Sequence, residues 1–359
     1  MSNNTKEAYQ KDSTAKPKGL FCTTTFSNEV SKDLLLSLSP KLAYVSTEFA
    51  EKCYDKYRTK LPIYYRQLVT MSRDELVEVL HASAIYLREN SSKFLNNASE
   101  VNTDDLARFV STNINSAAVG DNLIRNGNGL SFLNSFVKEA LLNVTVAGKG
   151  SKTLYDLVQD TRYLYKVAYK CMSFKADITL SRLFSTMRVV DTQTVSNIRP
   201  LAFAWLYNQY GIIQNPNPKK KQIWLRDPSQ GWLGRLLSSY YVAYHNPDKE
   251  IHYVSTDPNL KVVEAFAEVT DFLKSFGGMH KVKNWFPEIH NHGAEVPNAC
   301  FSDTWDYKFD VSATFPPYFG TEKYSETYIF HLVNGEQFKA SEIDTLDTDD
   351  GLKAVPNVS

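Results

Sequence analysis

The sequence predicts an α/β fold with a parallel sheet in the C-terminal half of the chain, preceded by an α-helical domain. From about residue 200 onward, short apolar segments of strand length alternate with helical segments, in the order strand, helix, strand, helix, strand. That alternation is typical of a parallel sheet whose strands are joined by helices. Between residues 28 and 185, apolar residues instead recur at helical spacing. A chain of 359 residues is long enough for two such domains.

The predicted α-helical domain covers residues 20–190. Ser72 and Glu75 fit a capping box, in which each side chain satisfies a backbone N–H of the other at a helix start. The apolar residues that follow at helical spacing are Leu76, Leu80, Ala84 and Leu87. Residues 1–19 contain almost no large apolar side chain, and this composition predicts a disordered tail.

The predicted α/β domain covers residues 191–345, and a polar tail over 346–359 follows it. The predicted strands are 223–227, 251–256 and 309–315, and the predicted helices are 200–210, 231–244 and 258–276. The last helix has Pro258 at its start and Gly277 at its end, which is the usual asymmetry of helix ends. In such a sheet, ligands bind at the carboxyl ends of the strands, so residues at those ends are the candidate site.

Composition and charge exclude several classes of protein. No stretch approaches the ~18 consecutive apolar residues of a membrane span, and the polar start has no apolar signal core. We therefore expect a cytoplasmic protein that does not enter a membrane. Lys+Arg and Asp+Glu both number 40, so the net charge gives no electrostatic indication of nucleic-acid binding. His290 and His292 lack a third ligand at a recognisable spacing, and we predict no metal site.

A glycine-containing turn follows the first predicted strand. Gly231 and Gly234 would let the backbone approach a ligand and let the helix pack closely on the strand. Asp227, at the start of this turn, can bond the ammonium group of a methionine-type ligand. A turn of this kind serves plain strand-to-helix packing equally well, so both interpretations stay open. The glycine spacing is not GxGxxG, which disfavours a dinucleotide-binding fold.

Asp257 lies at the end of the second predicted strand, 30 residues after Asp227. An acidic side chain there can accept hydrogen bonds from both ribose hydroxyls of a nucleoside. It can also cap the helix that begins at Pro258. The two roles are compatible.

A stiff loop, Phe315-Pro316-Pro317-Tyr318, ends the third predicted strand. Consecutive prolines leave few backbone donors, so the loop can aim a carbonyl at the amino group of a base. Its aromatic side chain can stack on a flipped base. The same residues also suit an ordinary proline-rich turn.

In this order and at strand ends, the three features resemble the amino-group DNA methyltransferases, especially phage-encoded DNA methylase-like proteins. The resemblance runs from about residue 196 to 324, roughly a third of the chain. It implies a class I, Rossmann-like methyltransferase domain with S-adenosylmethionine as cofactor. It further implies DNA as a partner and transfer to adenine N6 or cytosine N4. The helical domain would then recognise the target or bind a protein partner.

The resemblance assigns roles residue by residue. The implied cofactor-binding residues are Asp227, Ser229, Gly231, Gly234, Asp257 and Glu295. The implied catalytic loop consists of Phe315, Pro316, Pro317 and Tyr318. S-adenosylmethionine would lie across Gly231 and Gly234 with its ribose on Asp257. A flipped base would lie against Tyr318, and no metal would be needed.

Two features depart from the family. Its catalytic loop usually begins with Asn, Asp or Ser, whereas Phe315 cannot accept a hydrogen bond from the target amino group. Only 35 residues follow Tyr324. The further strands of a complete methyltransferase sheet would need roughly 80 residues after the catalytic loop, so we expect an incomplete domain. The alternative is therefore a catalytically degenerate, methyltransferase-like binding or structural protein of phage origin. A methyltransferase that acts on RNA or protein is a third possibility.

Overall fold

A computed structural model describes the greater part of the chain. The described residues are 34, 37–39, 46–114, 125–146, 152–190, 195, 197–276, 282–293, 309–313, 322–323, 329–331 and 337–339. Within them, the last three segments and residues 145–146 are described by their backbone alone. The predicted tails 1–19 and 346–359 lie outside the described residues.

The N-terminal part is helical, as the sequence predicts. Its helices are α1 Thr47–Tyr57, α2 Tyr65–Leu68, α3 Arg73–Glu89, α4 Ser91–Leu95, α5 Thr103–Ser111, α6 Leu130–Leu142, α7 Leu154–Leu157, α8 Thr161–Ser173 and α9 Leu180–Met187. The capping box at the start of α3 is confirmed, because Ser72 N donates to Glu75 Oε2 (2.8 Å) and Glu75 N donates to Ser72 Oγ (3.3 Å). The apolar face predicted for α3 is buried.

The C-terminal part contains a four-stranded parallel sheet. Its strands are β2 Gln222–Asp227, β3 Glu250–Thr256, β4 Trp285–His290 and β5 Val311–Ser312, and they lie in the order β4-β3-β2-β5. The helices around it are α10 Pro200–Tyr207, α11 Gly234–His245 and α12 Leu260–Ser275. The strand order is compatible with a Rossmann-like fold. The α/β class is confirmed.

Two short antiparallel pairs accompany the main sheet. Strand β1 Thr145–Val146 pairs with β6 Glu322–Lys323, and β7 Ile329–His331 pairs with β8 Gln337–Lys339. The sequence between β7 and β8 contains Asn334-Gly335, a residue pair that favours the turn of a β-hairpin.

Several local predictions need correction. Within the described residues, the strand predicted over 309–315 is only Val311–Ser312, and the helix predicted over 258–276 is Leu260–Ser275. The segment 285–290, which the sequence left irregular, forms β4, and Pro287 is tolerated because β4 is the edge strand of the sheet. The predicted helix 200–210 is an α-helix only to Tyr207 and continues as a π-helix, Asn208–Ile213. The helix predicted over 231–244 begins three residues later, at Gly234.

The helical part and the sheet part share one continuous hydrophobic core. Phe272 of α12 packs against Phe132 and Phe136 of α6, with ring centroids 5.6 and 6.0 Å apart. None of the described helices combines the length and the apolar character that crossing a lipid bilayer requires.

Candidate functional site

The carboxyl ends of β2, β3 and β4 lie at one edge of the sheet, because these strands are parallel. From β2 the chain proceeds to β3 and β4 on one side, whereas β5 pairs with the other side of β2. The strand order therefore reverses at β2. In open α/β sheets, ligands bind in the crevice outside the strand ends at such a switch point. The end of β2 is thus the natural place to look for a site.

The turn from β2 into α11 has an unusual backbone. Gly231 (φ 58°) and Leu233 (φ 66°) adopt the left-handed conformation, which is uncommon for leucine. Gly234 packs so closely on the preceding segment that a Cβ atom would lie 2.8 Å from the Ile198 carbonyl oxygen. Asn197 Nδ2 donates to the Trp232 carbonyl oxygen (2.6 Å) and holds the turn from outside. Both glycines therefore have a structural reason to be glycine.

Asp227 is completely buried and forms an ion pair with Arg235, with Nε and Oδ2 2.6 Å apart. The Tyr253 hydroxyl lies 2.6 Å from the same oxygen, and Ser229 N donates to Oδ1 (3.2 Å). Burial raises the pKa of the Asp227 carboxyl, and the Arg235 guanidinium opposes that shift. The Asp227 carboxylate is thus bound by groups of the chain itself and stabilises the turn. It does not face a ligand ammonium group, as the sequence suggested.

Two buried nitrogen donors beside this ion pair find no acceptor among the described residues. They are Arg235 Nη2 and Gln230 Nε2. A Cβ atom on Gly231 would lie 3.7 Å from Arg235 Nη2, so one of these donors lies directly under the turn. Gln230 Oε1 lies within hydrogen-bonding distance of the Tyr253 hydroxyl, whose single hydrogen is shared with Asp227 Oδ2. Because an unpaired buried donor costs about 1–3 kcal/mol, these N–H groups suit an acceptor that is supplied from elsewhere.

Asp257 follows the last residue of β3 and contacts the turn directly. Its Oδ2 accepts from Gly231 N (2.9 Å) and its Oδ1 accepts from Asn259 N (2.9 Å). No basic side chain forms a salt bridge with it among the described residues. Burial raises the pKa of the Asp257 carboxyl from 3.8 to about 7, although both backbone bonds favour the ionised form.

Asp257 is not the cap of the following helix, which corrects one of its two possible roles. Helix α12 begins at Leu260, and Asn259 is its N-cap, with Oδ1 accepting from Lys261 N (3.1 Å). Asp257 instead orders the segment before the cap through its bond from Asn259 N. Its carboxylate therefore links the end of β3 to the turn after β2.

The end of β4 completes this edge of the sheet. Asp257 N donates to the His290 carbonyl oxygen (3.1 Å), and Asn291 Nδ2 donates to the Asp257 carbonyl oxygen (3.1 Å). His290 Nε2 lies 2.8 Å from Glu288 Oε1. Among the residues that the structure describes, no cluster of three or more His, Cys, Asp or Glu side chains could hold a metal ion.

The structure brings five of the predicted site residues together at this edge: Asp227, Ser229, Gly231, Gly234 and Asp257. The others lie outside the described residues: Glu295, Phe315, Pro316, Pro317 and Tyr318. The chain reaches that last group from Ala313, whose N donates to the Arg226 carbonyl oxygen (3.0 Å) at the end of β2.

The partners of Asp227, which are Arg235 and Tyr253, were not predicted from the sequence. The signal that could have found them is Asp227 itself, since a carboxylate at the end of a buried strand needs a cation or a donor. No protein-family model, curated protein or solved structure matches the chain in the three comparisons made with known proteins.

Proposed function

We propose that the protein is an S-adenosylmethionine-dependent methyltransferase that acts on an exocyclic amino group of a DNA base. The observation that carries the proposal is the position of the Asp257 carboxylate. It lies at the carboxyl end of the strand next to the switch point and is bonded to the glycine turn through Gly231 N. Nucleoside hydroxyls are bound by an acidic residue at this position in Rossmann-like folds.

The chemistry of the available groups fits this cofactor. Burial raises the pKa of the Asp257 carboxyl even though Gly231 N and Asn259 N donate to it, and two ribose hydroxyls would add further donors that favour its ionised form. Arg235 Nη2 and Gln230 Nε2 are donors that suit an anionic group such as a carboxylate. When bound, S-adenosylmethionine supplies an activated methyl group to the amino nitrogen of the base.

The direct test is a calorimetric titration of S-adenosylmethionine with the wild type and Asp257→Ala. We expect the substitution to weaken binding by about 1.5–3 kcal/mol, because a charged hydrogen-bond acceptor is lost. Asp105→Ala is the matched control, since Asp105 is also buried and accepts from a backbone N–H, that of Phe132 (3.0 Å), in the helical part. Equal affinity in all three proteins, or no binding to the wild type, would remove the basis of the proposal.

The second test measures methyl transfer and concerns the role of Phe315. A polar side chain at that position assists the reacting nitrogen, and such assistance is worth about 10²–10⁴ in rate. We therefore expect slow but measurable base methylation from the wild type and a gain of that order in Phe315→Asn or Phe315→Ser. The assay follows methyl transfer to DNA, with RNA and protein as alternative acceptors and cofactor affinity measured alongside. Rapid methylation of DNA by the wild type would contradict the expected role of Phe315.

A second candidate is a non-catalytic binding or structural protein with the same fold. The ion pair between Asp227 and Arg235 favours it, because the turn that would receive the cofactor is closed by the chain's own side chains. Such a protein would not bind S-adenosylmethionine, so the titration above separates the two functions.

A further inference from the structure

Two segments of the helical part, 60–66 and 170–182, lie side by side, and no part of the proposed function uses them. An isolated antiparallel bridge between Ile63 and Ile178 joins them. Ile63 N donates to the Ile178 carbonyl oxygen (3.2 Å), and Ile178 N donates to the Ile63 carbonyl oxygen (2.8 Å). The fold therefore brings together side chains from two stretches that are far apart in the sequence.

The charges of these two segments are strongly one-sided. They contain five basic residues, whereas Asp177 is their one acidic residue. The basic residues form what we call the basic surface, and each of them is exposed: Lys60, Arg66, Lys170, Lys175 and Arg182. Because the whole chain has 40 basic and 40 acidic residues, its net charge of zero conceals this local excess.

Two of these cations are held by aromatic rings. Arg66 Cζ lies 5.6 Å from the centroid of the Tyr64 ring, and Lys170 Nζ lies 4.7 Å from the centroid of the Phe174 ring. Within the described part of the chain, neither cation forms a salt bridge with a carboxylate. A cation–π contact orders the side chain but leaves its positive charge uncompensated. These two charges are therefore available to an anionic partner.

Two carboxylates lie near the basic surface, and both are engaged with other groups. Asp177 Oδ1 accepts from Tyr65 N (2.7 Å), so this side chain helps to join the two segments. Glu75 is near enough to Lys60 for a weak charge interaction, but Glu75 Oε2 accepts from Ser72 N (2.8 Å) in the capping box of α3. The surface thus keeps an excess of positive charge.

The aromatic rings of this region are exposed as well. Tyr64 is 46% exposed and Phe174 is 52% exposed. Exposed basic residues interleaved with aromatic rings are typical of surfaces that bind nucleic acid, where cations contact phosphates and rings contact bases or sugars. An acidic protein segment would complement the charge alone and would leave the two rings without a role.

We propose that the basic surface binds the phosphate backbone of DNA. The choice of DNA rests on the proposed function, whereas the surface itself is separate from the strand ends. Phosphate contacts position a nucleic acid without reading its sequence. The helical part would in this way hold the DNA on which the sheet part acts.

The test measures the affinity of the full chain for a short labelled DNA duplex by fluorescence anisotropy, between about 50 and 200 mM salt and without S-adenosylmethionine. Each neutralised phosphate contributes about 0.9 to the slope of log affinity against log salt concentration, so five cations predict a slope of up to about −4.5. A wild type that does not bind DNA, or whose affinity is independent of salt, would overturn the proposal.

A triple variant locates the binding: Lys60→Gln, Arg66→Gln and Lys170→Gln. We expect it to bind DNA at least ~10-fold more weakly at low salt, with a slope that is shallower by about 2–3, because three phosphate contacts are lost. Its melting temperature should equal that of the wild type, since the three side chains are exposed.

The matched control removes three exposed lysines from other surfaces: Lys52→Gln, Lys221→Gln and Lys274→Gln. It loses the same net charge as the triple variant, and we expect it to bind DNA like the wild type. Undiminished binding in the triple variant, or an equal loss in the control, would contradict binding at the basic surface.

Two competitors test the choice of DNA as the partner. They are an RNA duplex of the same sequence and polyglutamate at an equal concentration of charge. We expect DNA to displace the labelled duplex at the lowest concentration. Polyglutamate that competes equally well would show that the surface responds to charge alone, and tighter binding of RNA would assign another nucleic acid. Either result would overturn the proposal.

The affinity for S-adenosylmethionine is measured in the same proteins, so that this inference and the proposed function can fail separately. We expect the triple variant to bind S-adenosylmethionine like the wild type, and Asp257→Ala to bind DNA like the wild type. DNA binding that depends on the basic surface, in a chain that does not bind S-adenosylmethionine, would support this inference and remove the proposed function. Binding of S-adenosylmethionine without binding of DNA would overturn this inference alone.

Discussion

The ends of β2 and β3 carry two buried carboxylates in opposite circumstances. Asp227, at the end of β2, is paired with a guanidinium and a hydroxyl, and its charge is balanced within the fold. Asp257, at the end of β3, is bonded to two backbone N–H groups, and burial raises its pKa to about 7. The position of a carboxylate at a strand end therefore does not by itself make it part of a ligand site. The partners of the carboxylate decide whether it holds the fold or remains available to bind.

The largest expected effect comes from breaking the pair at the end of β2. Arg235→Met leaves Asp227 buried without a cation, and loss of one partner of a buried ion pair costs about 3–5 kcal/mol. The free energy of unfolding, measured by denaturant titration, should fall by that amount. The control is Lys52→Met, because Lys52 and its partner Glu48 are 73% and 79% exposed, and such an exposed pair is worth at most about 1 kcal/mol. Equal losses of unfolding free energy in the two variants would mean that the buried pair of Asp227 and Arg235 stabilises the fold no more than an exposed pair.

The end of β3 should show a pH dependence that the end of β2 lacks. The pKa of Asp257 is raised from 3.8 to about 7 by burial, so the folded state holds this proton more tightly than the unfolded state. The stabilisation is fully present below about pH 4 and is lost as the pH rises through about 7. The free energy of unfolding should therefore fall over this window by up to about 4 kcal/mol more in the wild type than in Asp257→Asn. Parallel pH profiles for the two proteins would contradict a raised pKa.

Much of this fold follows from local sequence signals. Strands β2 and β3 were predictable because Ile223, Leu225 and Ile251 belong to short apolar runs, each ending at an acidic residue. The capping box at Ser72 and Glu75 was predictable because both partners lie within one helical turn.

The remaining features depend on tertiary contacts. Strand β4 was not predicted, and it contains Pro287, which is acceptable in a strand only because β4 lies at the sheet edge. The bond between Asp227 and Arg235 spans the glycine turn, so it forms only once Gly231 and Gly234 have folded that turn. The helix cap is Asn259 rather than Asp257 because the helix begins at Leu260, two residues later than the sequence predicts. Sequence therefore located the candidate site, but it could not show which carboxylate was already in use.

The measurement that tests the central claim most directly is the affinity for S-adenosylmethionine as a function of pH. If the ionised Asp257 carboxylate accepts the ribose hydroxyls, it must lose its proton first whenever the pH is below its pKa of about 7. Affinity should then be constant above about pH 7 and fall toward about tenfold per pH unit below it, whereas Asp257→Asn should bind weakly at every pH. An affinity that does not change between pH 5 and pH 8 in the wild type, or a wild-type slope retained in Asp257→Asn, would contradict the account.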